Sequence, residues 1–320
     1  MAAIGTGSGK LILFGEHAAV FGHPAIGVQL PERTTVAIDG PGRDTWDLEA
    51  VAEEDRHIVQ QLLERLETLL PELARRGRKA VGVESSVPRG VGLGSSAALC
   101  SAAAGAALQM LGENPGASGS RRTWELAHEL ERLFHGTPSG IDTGLSLHAG
   151  LTAYTPRPPA LPRWEQVPTA SLWLVVGALP RALGSGALIR GVGDRMRAGE
   201  TRVSEALSAL GTIALQAREA LARTVPAGGH EATVGRLAET AMGILRSLGL
   251  SDPALDMLLE EGKRWGALGG KLSGAGGGGA FFLVLEGEAS ARTTAVRLGE
   301  AARSHDIGFV LAPRAVRVGR

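Results

Sequence analysis

The sequence predicts an α+β or mixed α/β protein, and three observations carry that reading. Short apolar runs with strand character alternate with amphipathic helical stretches in both halves of the chain. Glycine-rich turns separate them. No internal repeat of fixed period is present. At 320 residues the chain is long enough for two domains with ample core. Pro156, Pro158, Pro159 and Pro162 mark a surface crossing, which sets the expected domains at residues 1–165 and 166–320.

Taken in order, Lys10-Leu11-Ile12-Leu13-Phe14 reads as a strand closed by Gly15, and Ile26 to Leu30 with Thr34 to Ile38 supplies more strand. Asp55 to Arg76 places Ile58, Leu62, Leu63, Leu66, Leu69 and Leu70 at helical spacing, with an interruption at Pro71. Val81 to Val87 is a strand that delivers the chain into Pro88-Arg89-Gly90-Val91-Gly92-Leu93-Gly94-Ser95-Ser96, and Ala97 to Leu111 is the helix that leaves it. Arg122 to Phe134 is a second amphipathic helix, stopped by the glycine and proline of His135-Gly136-Thr137-Pro138-Ser139-Gly140-Ile141-Asp142. Beyond the prolines, Ser171 to Leu179 is a strand and Arg181 to Asp194 an irregular glycine-rich stretch. Helices are expected over 200–223, 231–248 and 253–268, then a glycine cluster leading into a strand over 280–285, a helix over 289–304 and a strand over 309–318.

Composition narrows the function. Lys plus Arg and Asp plus Glu number 33 each, so no overall charge draws the chain to nucleic acid or an anionic membrane. The one cysteine, Cys100, excludes an intrachain disulfide and sits among small residues as a buried side chain would. No secretory signal is apparent, because the apolar run Leu11 to Phe14 is short and meets Glu16 and His17; the expected location is cytoplasmic.

The loop Gly90 to Ser96 carries the first chemical suggestion. Glycines at alternate positions allow a tight, unobstructed backbone, and Ser95 or Ser96 can cap the helix that starts there. The N–H groups and positive end of that helix suit a phosphate. The loop is not the common phosphate loop, since Gly94 rather than lysine precedes Ser95, and its glycine spacing does not fit the dinucleotide fingerprint. On this loop alone, a nucleotide site and a plain capped turn are both open. Likewise His128, Glu131 and His135 fall on one helix face, a spacing that also allows a zinc site.

Three separated segments together resemble the GHMP kinases, the family of galactokinase, homoserine kinase, mevalonate kinase and phosphomevalonate kinase. Pro88 to Ala98 is similar to the family's second motif, and Lys271-Leu272-Ser273-Gly274-Ala275-Gly276-Gly277-Gly278-Gly279 to its third. Gly9-Lys10 through Pro24-Ala25, with Gly15-Glu16-His17 at its centre, resembles the first motif in the form of the mevalonate-phosphorylating branch. Galactokinases continue differently after Gly-Glu-His, where this chain has Ala18-Ala19-Val20. Glu131-Arg132-x-x-His135-Gly136-x-Pro138-Ser139-Gly140-x-Asp142 resembles that same branch.

The resemblance implies an N-terminal domain like domain 2 of ribosomal protein S5, a ferredoxin-like C-terminal domain and an active site in the cleft between them. It implies ATP as co-substrate, bound by Gly90, Gly92, Leu93, Gly94, Ser95, Ser96 and Ala97, and Mg2+ on Ser96 and Glu131. Asp142 would take the proton of the attacking alcohol, and Lys10 would stand beside it to stabilise charge on the transferring group. Glu16 and His17 would lie near the acceptor, expected to be mevalonate. Ser185 would stand there too, in a Pro180-Arg181 segment with two residues inserted relative to the family pattern. Thr143 stands where the family often has asparagine. A homodimer is implied. Another small-molecule kinase of the family, on phosphomevalonate or a sugar, and a silent ligand-binding regulator are the rival expectations.

Overall fold

Backbone contacts in a computed structural model, which describes residues 2–114, 121–169, 171–181, 184–222 and 229–319, divide the chain into two units. One comprises Met1–Lys10, Gln29–Val87 and Gly94–Ala149; the other comprises Leu11–Val28, Pro88–Leu93 and Gly150–Arg320. The strands β1 (Ala3–Phe14) and β2 (Ala25–Arg43) each run through both. They belong to a five-stranded sheet of order β1-β2-β4-β5 with β3 (Arg78–Ser85) also on β2; β4 is Leu151–Arg157 and β5 is Ala160–Gln166.

In the first unit, β2 pairs antiparallel with β3 from Thr34↔Ser85 to Ile38↔Val81. The helices are α1 (Glu53–Leu69), α2 (Pro71–Arg75), α3 (Ser95–Met110), α4 (Arg121–Glu131) and α5 (Ile141–Leu147). Pro71 ends α1 and opens α2, because a proline lacks the N–H that would continue α1 but fits a first helical turn. Helix α3 packs against α1, α4 and α5 and is buried all round, which is why its sequence shows no amphipathic stripe. Its small side chains let β1 lie backbone against backbone. A Cβ on Gly5 or Gly7 would collide with the carbonyl oxygens of Ala102 and Ala98. That close crossing carries β1 to Lys10 beside the start of α3. Cys100 is fully buried there, and burial pushes its thiol up, so it acts as packing.

The second unit contains a four-stranded antiparallel sheet of order β7-β8-β6-β9, formed by β6 (Leu172–Arg181), β7 (Gly269–Leu272), β8 (Gly278–Leu285) and β9 (Leu311–Val318). Strand β8 is buried along its whole length, so Ala280-Phe281-Phe282-Leu283-Val284-Leu285 is continuously apolar rather than alternating. Its helices are α6 (Ser185–Arg197), α7 (Thr201–Ala222), α8 (His230–Ser247), α9 (Pro253–Arg264) and α10 (Glu288–Ser304); α8, α9 and α10 pack on the sheet. Asp252 caps α9 by accepting from the N–H groups of Ala254 and Leu255, with Pro253 in the first turn.

One expectation is sharpened and one corrected. The proline-rich surface crossing is built as a hairpin: Pro158 and Pro159 fall in the turn, and Pro162 in β5, a mostly exposed end strand where a missing N–H costs no ladder bond. The stretch 181–194 is largely the helix α6, because Leu188 and Val192 recur at helical spacing and α6 packs on α7; tertiary burial outweighs its glycines. Among the described residues, no helix is long and apolar enough to cross a membrane.

Candidate active site

The first unit gathers an ammonium and two carboxylates. Lys10, 3% exposed at the end of its segment of β1, places Nζ 3.1 Å from Oδ1 of Asp142, whose side chain is 34% exposed. Asp142 sits in the first turn of α5, after Gly140 in the left-handed region at φ 77°. Glu131, the last residue of α4, is buried, and its Oε1 has no hydrogen-bond partner. Burial first, and then the charge of Asp142, push the Glu131 carboxyl up to about 8, against the pull of Lys10.

Two acids against one ammonium, with a buried orphan oxygen, fit a divalent cation. Mg2+ takes oxygen ligands and keeps several for water and phosphate, so a protein supplies only one or two. Among the described residues, no group of three or more His, Cys, Asp and Glu side chains is gathered to hold a metal. His128, Glu131 and His135 therefore do not form the zinc site that their spacing allows.

The glycine-rich loop departs from expectation at its end. Neither serine caps α3: the N-cap is Gly94, at φ 81°, with no side-chain hydrogen bond, and Ser95 and Ser96 are the first two helical residues. The N–H groups of the first turn, Ser95 to Ala97, thus have neither an intrahelical acceptor nor a cap side chain, the state in which a helix end takes an anion. Gly94 is required twice over. Its φ is left-handed, and a Cβ there would lie 2.6 Å from Cγ of Lys10.

In the second unit, the loop's earlier part, Gly90 to Leu93, is held from the third glycine motif. Ala280 donates its N–H to the carbonyl of Val91 at 2.7 Å, and Arg181 reaches the same oxygen with Nη2 at 3.4 Å. Ser273 accepts from the N–H of Ile12 at 3.0 Å and donates to its carbonyl at 2.8 Å, tying that motif to β1.

Glu16 and His17 are buried beside it. Glu16 forms an ion pair with Lys271, whose ammonium also donates to the carbonyl of Leu272 at 2.7 Å and lies 5.9 and 5.4 Å from the ring centres of Phe14 and Phe282. His17 donates from Nε2 to the carbonyl of Ala275 at 3.0 Å. Burial, aided by the charges of Lys271 and Arg181, lowers the His17 imidazole to about 4, so it is neutral at pH 7. Ser185 opens α6; its side chain lies outside the described residues.

The structure thus joins Lys10 to Asp142, with Glu131 in electrostatic reach, in one unit, and Glu16 and His17 to the third motif in the other. Sequence reasoning missed the partner of Glu16 and the anchoring of the loop by Arg181. A lysine set among Gly270, Leu272 and an apolar strand was the available signal for the first; nothing local marks the second.

Family models for the GHMP kinases match this chain twice: the N-terminal domain over residues 57–150 and the C-terminal domain over residues 217–303. The chain belongs to the GHMP kinase family, the ATP-dependent kinases of small molecules.

Within that family it is 30% identical over 312 residues to the mevalonate kinase of Aeropyrum pernix, covering 90% of each chain. It is 30% identical over 285 residues to that of Methanothermobacter thermautotrophicus, covering 87% of this chain and 88% of that one. Its fold is similar to the crystal structure of L. major mevalonate kinase in complex with R-mevalonate, with a TM-score of 0.77, 23% identity and coverage of 100% and 96% of the two chains.

Proposed function

We propose that this chain transfers the γ-phosphoryl group of ATP to the 5-hydroxyl of mevalonate, giving 5-phosphomevalonate for isoprenoid synthesis. The observation that carries the reading is the buried Lys10 held 3.1 Å from the half-open Asp142, next to an uncapped helix end. The hydroxyl oxygen attacks the γ-phosphorus; a new O–P bond forms, the bond to the β–γ bridging oxygen breaks, and the hydroxyl proton passes to a carboxylate oxygen of Asp142. Lys10 steadies that carboxylate and the charge gathering on the transferring group.

Residues Gly90 to Ala97 hold the triphosphate through backbone N–H groups, in keeping with the uncapped first turn of α3. Ser96 and Glu131 would hold Mg2+, which neutralises phosphate charge when bound. Glu16, His17 and Ser185 are assigned to the acceptor side, with the neutral His17 able to donate or accept a hydrogen bond. We place the enzyme in the cytoplasm, as a homodimer, with its domains at residues 1–165 and 166–320.

The test is an acceptor panel of mevalonate, phosphomevalonate, homoserine and galactose with magnesium-ATP and the pure protein. Turnover of mevalonate well above the others is expected. Turnover of another acceptor in its place overturns the substrate, and binding of mevalonate without turnover gives the regulator reading its support.

A further inference from the structure

Asp142, paired with Lys10 at 3.1 Å, lies on a helix of only seven residues. Its aim comes from a neighbouring carbonyl. The oxygen of Gly140 accepts three hydrogen bonds: from the indole Nε1–H of Trp124 at 2.9 Å, from the hydroxyl of Thr143 at 3.2 Å, and from the N–H of Gly144 at 3.0 Å. Two of those donors belong to α5 itself. The third reaches across from α4, the helix that ends in Glu131.

Trp124 also grips the other end of α5. Its ring meets that of His148, the C-cap residue, edge to face, with centres 4.8 Å apart and planes at 84°. Trp124 is 4% exposed and His148 3% exposed, so neither contact competes with water. One side chain therefore clamps α5 at both ends onto the helix that carries the second carboxylate. A short helix cannot hold its own orientation by backbone bonds alone.

We propose that Trp124 is a positioning residue for phosphoryl transfer: its indole N–H, through the Gly140 carbonyl, sets Asp142 in register with Lys10 and Glu131. This rests on the reading of Asp142 as the proton acceptor, and it adds a residue that touches no substrate. The chemistry follows from geometry. A base displaced by an ångström from its reacting hydroxyl loses rate far more than substrate binding does.

The experiment compares wild type with Trp124→Phe, and with Trp124 replaced by 3-benzothienylalanine, which keeps the bicyclic shape and puts sulfur in place of the N–H. A 5-fluorotryptophan replacement, which retains the N–H, is the control. Both proteins lacking the N–H should lose kcat by about ten- to hundredfold, with KM for ATP and acceptor within about twofold of wild type. The fluorotryptophan protein should keep its rate. Wild-type kcat in the benzothienylalanine protein overturns the proposal, as does a loss of kcat matched by an equal rise in KM.

If wild type phosphorylates a different alcohol, the mevalonate reading fails alone and the same comparison runs on that alcohol. If it phosphorylates none, amide deuterium exchange over residues 139–148 is the readout. Faster exchange confined to that segment in the benzothienylalanine protein upholds the clamp, and unchanged exchange overturns it.

Discussion

Two lysine–carboxylate pairs in this molecule look alike as sequence and differ in what they can do. Lys10 and Asp142 pair in the first unit, with the carboxylate 34% exposed; Lys271 and Glu16 pair in the second, with side chains 0% and 1% exposed. Burial pulls the Lys271 ammonium below its ordinary range, partly offset by Glu16. A pair sealed from water has no room to exchange a proton with a substrate, so Glu16, on the proposed acceptor side, can act there only through its fixed charge and its hold on the third glycine motif. A pair with one open oxygen can take a proton. Access, not charge, separates a reacting pair from a structural one.

The sharpest way to break this comparison is Asp142→Asn. Loss of the proposed proton acceptor should cut kcat by about 10²–10⁴-fold while ATP binding, measured by calorimetry, stays close to wild type. Near-normal turnover would remove the distinction between the pairs. Lys271→Met should act the other way, through stability: leaving Glu16 buried without its cation costs about 3–5 kcal/mol in denaturant unfolding. The double change Lys271→Met with Glu16→Leu should recover much of that loss, because an apolar pair carries no desolvation penalty.

The smallest effect is on pH dependence. His17 and His148 are each lowered from 6.5 to about 4, both chiefly by burial, and His17 also by Lys271 and Arg181. The unfolded chain therefore binds more protons than the folded one between pH 6.5 and 4, so stability falls as the solution is acidified through that window. Glu131, raised to about 8, has the opposite sign, so melting temperature should climb as the pH falls from 9 to 7 and then drop below 6.5, where two histidines outweigh one carboxyl. In the double variant, the share from His17 should shrink and that from His148 should stay, giving a slightly shallower fall.

Much of the fold was legible because its signals are local. The apolar stripes of α1, α7, α8 and α9 and the run into β8 follow from spacing, and Pro71 and Pro253 punctuate helices as their ring geometry requires. Local rules failed where tertiary contacts decide. Glycine content made α6 look irregular, although packing on α7 secures it, and prolines hid the β4–β5 hairpin because an end strand and a turn tolerate them. The serines after Gly94 looked like caps, yet the left-handed glycine takes that place and leaves the first turn open.

The chain alone determined which residue types stand at which spacing: a glycine loop before a helix, an acid ending α4, an acid opening α5, and a lysine on the first strand. Such patterns depend on neighbours a few residues apart, which is why they can be read directly. Only the tertiary structure decided which charges meet. Lys10 finds Asp142, Lys271 finds Glu16, and Trp124 finds Gly140 through contacts between different elements. Depth of burial, which leaves the Asp142 carboxylate partly open and seals the Glu16 carboxylate, is a property of the whole packed fold and has no counterpart in any short stretch of sequence.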